Sequence, residues 1–168
     1  MNKIMKHYED SVYIPTSPKE LFDYADDHKN FSSHMNKSSW MMGGGSMNTH
    51  VDGKRFRELG SHIQMEGTVF GIKLYLDEVV TDYEPPYRKE WQTVGDLNLL
   101  VIDHYKLGFE IESKDDGSNL RVYIDYYLPQ STGTRILGYL LGGMYAKWCV
   151  NQMIKGALSH FTANKEKL

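Results

Sequence analysis

The stretch that most limits what this chain can become is its last one. From about Thr134 to Lys165 it reads as one long helix, after a sequence that reads mostly as strand. At ~1.5 Å per residue such a helix is roughly 48 Å long, enough to cross a whole small domain. Its apolar positions Leu137, Leu140, Leu141, Met144, Trp148, Val150, Met153, Ile154, Ala157, Leu158 and Phe161 recur at steps of three and four. Charge gathers at the far end in Lys165, Glu166 and Lys167. A helix with this much apolar surface must lie against something, so the rest of the chain has to supply a large dry face.

The preceding sequence supplies one. Lys6 to Ile14 alternates, with Tyr8, Asp10, Val12 and Ile14 on one face, and stops at Pro15. Ser17-Pro18-Lys19-Glu20 is then a capped helix start, with Ser17 as cap, Pro18 in the first turn and Glu20 completing a capping box. Asn30 to Met35 suits one further helical turn, with Phe31 and Met35 inward, and Ser39 to Met42 a short strand. Gly43-Gly44-Gly45 opens a loop running to Gly53. A phosphate-loop reading of that loop fails, because Asn48 and Arg55 stand where the motifs require Gly and Ser or Thr.

Further strands are expected at Arg55–Glu66 (bent at Gly60), Val69–Thr81, Arg88–Val94 carrying Trp91, Leu99–Glu112 and Leu120–Leu128, with a tight hairpin at Asp115-Asp116-Gly117-Ser118. Consecutive strands with short links make an antiparallel sheet with one wet and one dry face, and only the C-terminal helix is large enough to cover the dry one. The expected class is α+β: a curved antiparallel sheet of about six to seven strands wrapped around one long helix, with two short helices after the first strand. The 168 residues suit one domain, 1–168.

Composition narrows the function classes. A formal net charge of −3 without clustered Lys and Arg argues against nucleic acid. The lone Cys149 excludes an internal disulfide and any multi-Cys zinc site, and the seven histidines form no HExxH pair, so neither metal nor other cofactor is expected. No signal-like h-region or membrane-length apolar run appears, so a cytoplasmic protein without an integral membrane segment is the expectation.

Three stretches together resemble a known family, the START-like or SRPBCC superfamily, which includes polyketide cyclase/dehydrase-like and birch-pollen-allergen-like helix-grip proteins. They are Val12-Tyr13-Ile14-Pro15-Thr16-Ser17-Pro18-Lys19-Glu20-Leu21-Phe22-Asp23-Tyr24, the run Asp77 to Trp91 with its Pro85-Pro86 turn, and Asp115 to Val122, where Asn119 stands in place of a common Thr. The resemblance implies a helix-grip fold and a cavity between sheet and helix for a hydrophobic small molecule or lipid. Members include binders, transporters and cyclases, so it does not imply one reaction.

Candidate site residues follow from polar or bulky groups on faces that otherwise read as core. Asp103 and Tyr105 sit in the Val101-to-Ile111 row and Tyr126 in the Leu120-to-Leu128 row; alternatively Asp103 lies at the strand end and meets water. Glu78 falls on the apolar face of its strand. His62, on the preceding one, is a candidate general base but has no acidic partner at a recognisable spacing. Trp91 reads as a pocket wall or a core plug. Met144 and Trp148 belong to the helix surface that would line a cavity, or simply fill a core. The candidate ligand-binding set is thus His62, Trp91, Asp103, Tyr105, Tyr126, Met144 and Trp148, and no catalytic set is assigned.

The leading reading is a binding or carrier protein for a hydrophobic small molecule or lipid. The alternative is a cyclase or dehydratase acting in the same cavity, with Asp103, His62 and the tyrosines moving protons. A third feature stands apart. Gly138, Gly142 and Gly143 each cost about 1 kcal/mol of helix propensity against Ala, so Ile136 to Gly143 either packs closely or protrudes. A protruding apolar end would contact a membrane or a second subunit, as in a homodimer. From Met144 onward the helix reads as the element that covers the cavity.

Overall fold

The computed structural model describes residues 5–31, 46–53, 55–69, 71–130 and 132–163. Strand β1 (Met5–Ile14) runs to Pro15 and hands over to α1 (Pro18–Asp26). The start of α1 is the capping box expected from its sequence. The Ser17 hydroxyl accepts from the Glu20 amide at 3.3 Å, and the Glu20 carboxylate accepts from the Ser17 amide at 3.4 Å and from the Thr16 hydroxyl at 2.6 Å. Leu21, Phe22 and Ala25 are buried on one side of the helix, and α2 (His28–Phe31) follows at once.

Six further strands complete the sheet: β2 (Ser46–Val51), β3 (His62–Val69), β4 (Ile72–Glu84), β5 (Arg88–Asn98), β6 (Tyr105–Lys114) and β7 (Gly117–Tyr127). Their order is β1-β7-β6-β5-β4-β3-β2, every pair antiparallel. Each link between β3 and β7 is a hairpin, and the first strand closes on the last. Helix α3 (Thr132–Ala163) follows as one continuous helix of 32 residues. Together these make a helix-grip fold, a curved sheet wrapped around one long helix.

The dry face is built from alternating rows: Ile63, Met65 and Val69 on β3; Leu74, Leu76 and Val80 on β4; Leu107, Phe109 and Ile111 on β6; Leu120, Val122 and Ile124 on β7. Against them α3 brings Ala146, Val150, Met153, Ile154 and Ala157. Among the described residues the close backbone approaches of α3 to the sheet are to β1 and β7.

Several expected boundaries move, each for a visible reason. Arg55 to Glu66 is not one strand. Arg55 and Phe56 take left-handed backbone angles, φ 56° and 61°, Gly60 follows at 75°, and β3 begins only at His62. That turn carries Phe56 into the core, where the Lys89 ammonium donates to its carbonyl at 2.6 Å. The strand expected from Leu99 begins at Tyr105, because the Thr93 side chain takes over the Tyr105 backbone. Its hydroxyl accepts from the Tyr105 amide at 3.0 Å and donates to the Tyr105 carbonyl at 3.3 Å, where a ladder bond would otherwise run. Part of the loop expected up to Gly53 is strand β2. The strand expected at Ser39–Met42, the turn at Gly43–Gly45 and the inward Met35 lie outside the described residues.

Of the glycines at the start of α3, Gly138 and Gly142 are explained by close packing, whereas Gly143 is exposed with only an ordinary contact. A Cβ on Gly138 would sit 2.5 Å from Pro129 Cδ, and one on Gly142 would sit 2.9 Å from both Leu128 Cδ2 and the Val101 carbonyl. The first turns of the helix are pressed against the segments that precede β6 and follow β7. No described helix is long and apolar enough to cross a membrane.

Candidate functional site

The inward rows of β4 and β5 contain charge where apolar residues would be expected. Glu78 continues the row of Leu74, Leu76 and Val80 and is 3% exposed. On β5 the inward row is Lys89, Trp91 and Thr93, and Lys89 is 2% exposed. Pairing places Glu78 opposite Thr93, and Val80 opposite Trp91. Trp91 in turn pairs with Leu107 on β6, two residues beyond Tyr105.

Glu78 is the centre of one polar cluster. The Tyr105 hydroxyl donates to Glu78 Oε1 at 2.5 Å, and Trp91 stands one inward pair along the β4–β5 ladder, between Lys89 and the Thr93 that faces Glu78. Because Thr93 holds the backbone of Tyr105, it also fixes where that hydroxyl points. Burial drives the Glu78 carboxyl up from 4.5 to about 7, while the bond from Tyr105, the neighbouring Trp91 indole and the charge of Lys89 pull in the other direction. Burial also pushes the Tyr105 hydroxyl well above its ordinary range, and the neighbouring Glu78 adds to this. From the helix side come Tyr145 and Cys149, one turn apart on α3. Both titrations are raised by burial and feel the charge of Glu78, and Cys149 is pushed to about 12 and stays a thiol.

Lys89 is the centre of a second cluster. Its ammonium donates to Asp26 Oδ1 at 2.7 Å as well as to the Phe56 carbonyl, and lies 4.7 Å from the Phe56 ring centroid and 5.9 Å from that of Trp91. Asp26 also accepts from the Tyr83 hydroxyl at 2.9 Å. Burial lowers the Lys89 pKa, opposed by Asp26. Trp91 therefore lies in the inward row of β5 between the buried Lys89 and the Thr93 that faces the buried Glu78. Its edge-on contacts to Phe56 at 5.8 Å and Phe109 at 6.4 Å hold it in place.

The residues singled out from sequence separate into two groups. Trp91 and Tyr105 belong to the Glu78 cluster. Tyr126 is buried and pairs with Tyr105 across the β6–β7 ladder. Its hydroxyl reaches α3, 3.5 Å from where a Cβ on Gly143 would stand. Trp148 is half-buried, with its ring 5.8 Å from that of Tyr145. The other three lie elsewhere. His62 is on the wet face of β3, because the inward parity belongs to Ile63 and Met65, and it bonds Asp77 at 2.9 Å. Asp103 sits in the segment before β6, bonded to the adjacent His104 at 2.9 Å. Met144 is 45% exposed on the outward side of α3.

Alternation places Glu78 on an apolar face without giving it a role, and it singles out none of Lys89, Tyr145 and Cys149 as polar site groups. Lys89 does carry a signal, since it shares the parity of Trp91 on a strand that opens inward. Among the described residues no group of His, Cys, Asp and Glu is arranged to hold a metal ion. An open groove of about 510 Å³ lies between α1 and the end of α3, lined by Glu20, Asp23, Tyr24 and His160 among others. Its acids are already bonded, Glu20 to the cap of α1 and Asp23 to Lys19 at 2.6 Å.

Comparison with known proteins gives a consistent picture. A family model described as "Polyketide cyclase / dehydrase and lipid transport" matches residues 5–166. No curated protein matches in sequence. Among solved structures, the protein TTHA0849 from Thermus thermophilus aligns with a TM-score of 0.65 at 16% identity, over 95% of this chain and 99% of that one. Truncated norcoclaurine synthase from Thalictrum flavum aligns at 0.64 and 10% identity, over 95% and 94%. The di-domain ARO/CYC StfQ of the steffimycin biosynthetic pathway aligns at 0.66 and 10%, over 98% of this chain and 53% of that longer one. At these identities the likeness is one of fold.

Proposed function

Because the chain belongs to the polyketide cyclase / dehydrase and lipid transport family, we propose that it binds a hydrophobic small molecule or lipid between α3 and the inward face of the sheet. In this reading Glu78, Tyr105 and Trp91 receive the molecule's polar end, while Tyr126 and Trp148 contribute wall. The observation that carries it is Glu78 itself, a carboxyl only 3% exposed in a row otherwise made of Leu and Val. A core filled for stability alone would place a leucine there, since burying a polar group without full compensation costs on the order of 1–3 kcal/mol. An apolar enclosure with a few convergent polar groups is the usual build of a small-molecule site. Protonated, Glu78 donates to a carbonyl or ether oxygen; ionised, it accepts from a hydroxyl or amine.

A second reading has its own observation. A carboxyl at about 7 is placed for general acid–base work at neutral pH, and the Tyr105 hydroxyl beside it can donate to an oxygen that gains negative charge. The chain would then be a cyclase- or dehydratase-type enzyme. Ionised Glu78 would take a proton from a carbon next to a carbonyl, then return it to a departing hydroxyl, which leaves as water.

Native mass spectrometry of protein released by gentle lysis tests the binding reading. A co-purifying hydrophobic mass is expected, or uptake of an added fatty acid, quinone or aromatic polyketide, with Glu78→Gln weakening uptake about tenfold or more. A protein that is always empty and takes up none of these sinks it. Conversion of the bound molecule to a new mass, lost in Glu78→Gln while binding persists, selects the enzyme.

A further inference from the structure

The N-terminal half of α3 has its amphipathicity reversed. Its packed side is small: Gly138 and Gly142 are buried against Pro129, Leu128 and the Val101 carbonyl. Its large apolar residues point outward, with Ile136 64%, Tyr139 68% and Leu140 73% exposed, and Leu137 and Met144 alongside them. At 100° per residue, Ile136, Leu140 and Met144 form one stripe, with Leu137 and Tyr139 on its two sides. A contiguous apolar surface of this kind on a folded chain marks an interaction site.

Charge indicates what covers it. The chain carries a formal net charge of −3, yet α3 contains no Asp or Glu anywhere from Thr132 to Ala163, and it carries Arg135, Lys147 and Lys155. Lys147 continues the stripe one turn beyond Met144. From β1, the Lys6 ammonium sits 5.3 Å from the centroid of the Tyr139 ring, adding a cation at the patch edge. A second copy of the chain fits poorly, because a two-fold contact through this stripe would bring the same cations face to face with no acid on the helix to meet them. An apolar stripe rimmed by cations and an edge tyrosine suits the interface of an anionic bilayer, where such a helix lies in the plane with its apolar side among the headgroups.

We propose that the outward face of α3 from Ile136 to Lys147 docks this protein on an anionic lipid surface, with Ile136, Leu140 and Met144 inserting shallowly and Lys6 and Lys147 facing the headgroups. Docking does not depend on what occupies the interior, so it stands or falls separately from the ligand reading.

Co-sedimentation of the full chain with vesicles tests it. Binding is expected to vesicles of phosphatidylglycerol and phosphatidylcholine at 0.1 M salt. It should fall at least about tenfold on pure phosphatidylcholine, in 0.5 M salt, or with Lys6→Glu combined with Lys147→Glu. Leu140→Asp should abolish it with circular dichroism and melting temperature unchanged, since the side chain is mostly in water. Absence of binding to the anionic vesicles overturns the proposal, as does equal binding of Leu140→Asp and the unaltered chain. Sedimentation equilibrium showing a dimer that Leu140→Asp splits would also overturn it, because the stripe would then be an interface between copies.

Discussion

Glutamine at position 78 would remove one ionisable group from the interior while keeping its shape and its capacity to accept from the Tyr105 hydroxyl. In the folded chain burial holds Glu78 protonated up to about pH 7, whereas the unfolded chain releases that proton near 4.5. Across this interval the native state binds one more proton than the unfolded state, so stability falls as pH rises. The contribution is fully present below the unfolded value and lost by the time pH has passed through the folded one. At about 1.36 kcal/mol per pH unit the gap is worth roughly 3.4 kcal/mol, of which about 2.5 kcal/mol falls between pH 5 and pH 8. Paired urea denaturation of both chains at these two pH values isolates this group, because every other titration is common to them. The glutamine chain should gain about 2.5 kcal/mol on the unaltered chain from pH 5 to pH 8. A difference that stays constant would refute the buried, raised carboxyl, and a difference of opposite sign would place its folded pKa below 4.5.

Three further perturbations test neighbouring parts of the structure. Tyr105→Phe removes a donor that favours the ionised form of Glu78, so the Glu78 midpoint should rise by about one pH unit or more, read from carboxyl carbon shifts by NMR. Lys89→Met leaves Asp26 buried without its ammonium. It should cost about 3–5 kcal/mol in chemical denaturation, and Asp26→Asn in the same chain should recover most of that loss. Gly142→Ala should lower the melting temperature, because its Cβ would meet the Val101 carbonyl at 2.9 Å. Gly143→Ala, with only an ordinary 3.5 Å contact to the Tyr126 hydroxyl, should raise it by the equivalent of up to about 1 kcal/mol of helix propensity.

The architecture is legible in the sequence because local chemistry and global pattern agree. Ser17, Pro18 and Glu20 specify the start of α1 from a few residues, and the alternating rows of β6 and β7 leave one register that keeps their apolar faces dry. The site is legible only in part. Alternation puts a residue on a face, but it does not say which residue of another strand stands opposite. Glu78, Trp91 and Tyr105 meet through pairings interrupted by irregularities near Tyr75 and Val80, and the hydroxyl of Thr93 ends the regular ladder beside them. His62 falls on the inward side only if the preceding stretch is continuous strand. The left-handed turn at Arg55 and Phe56, two residues that rarely adopt such angles, breaks that continuity and resets the parity.

The closing of the first strand on the last has a consequence in time. His7 and Asp125, which face each other across that seam at 2.7 Å, are 118 positions apart. At roughly 5–20 residues per second of synthesis, β1 leaves the ribosome about 6–24 s before β7 exists to pair with it. The hairpins from β3 onward can form as they emerge, but the seam must wait. For that interval β1 presents Tyr8, Val12 and Ile14 beside an unpaired backbone edge, the kind of segment that aggregates or recruits a chaperone. Yield of the folded chain should therefore respond more to the sequence of its first fifteen residues than their small share of the core would suggest.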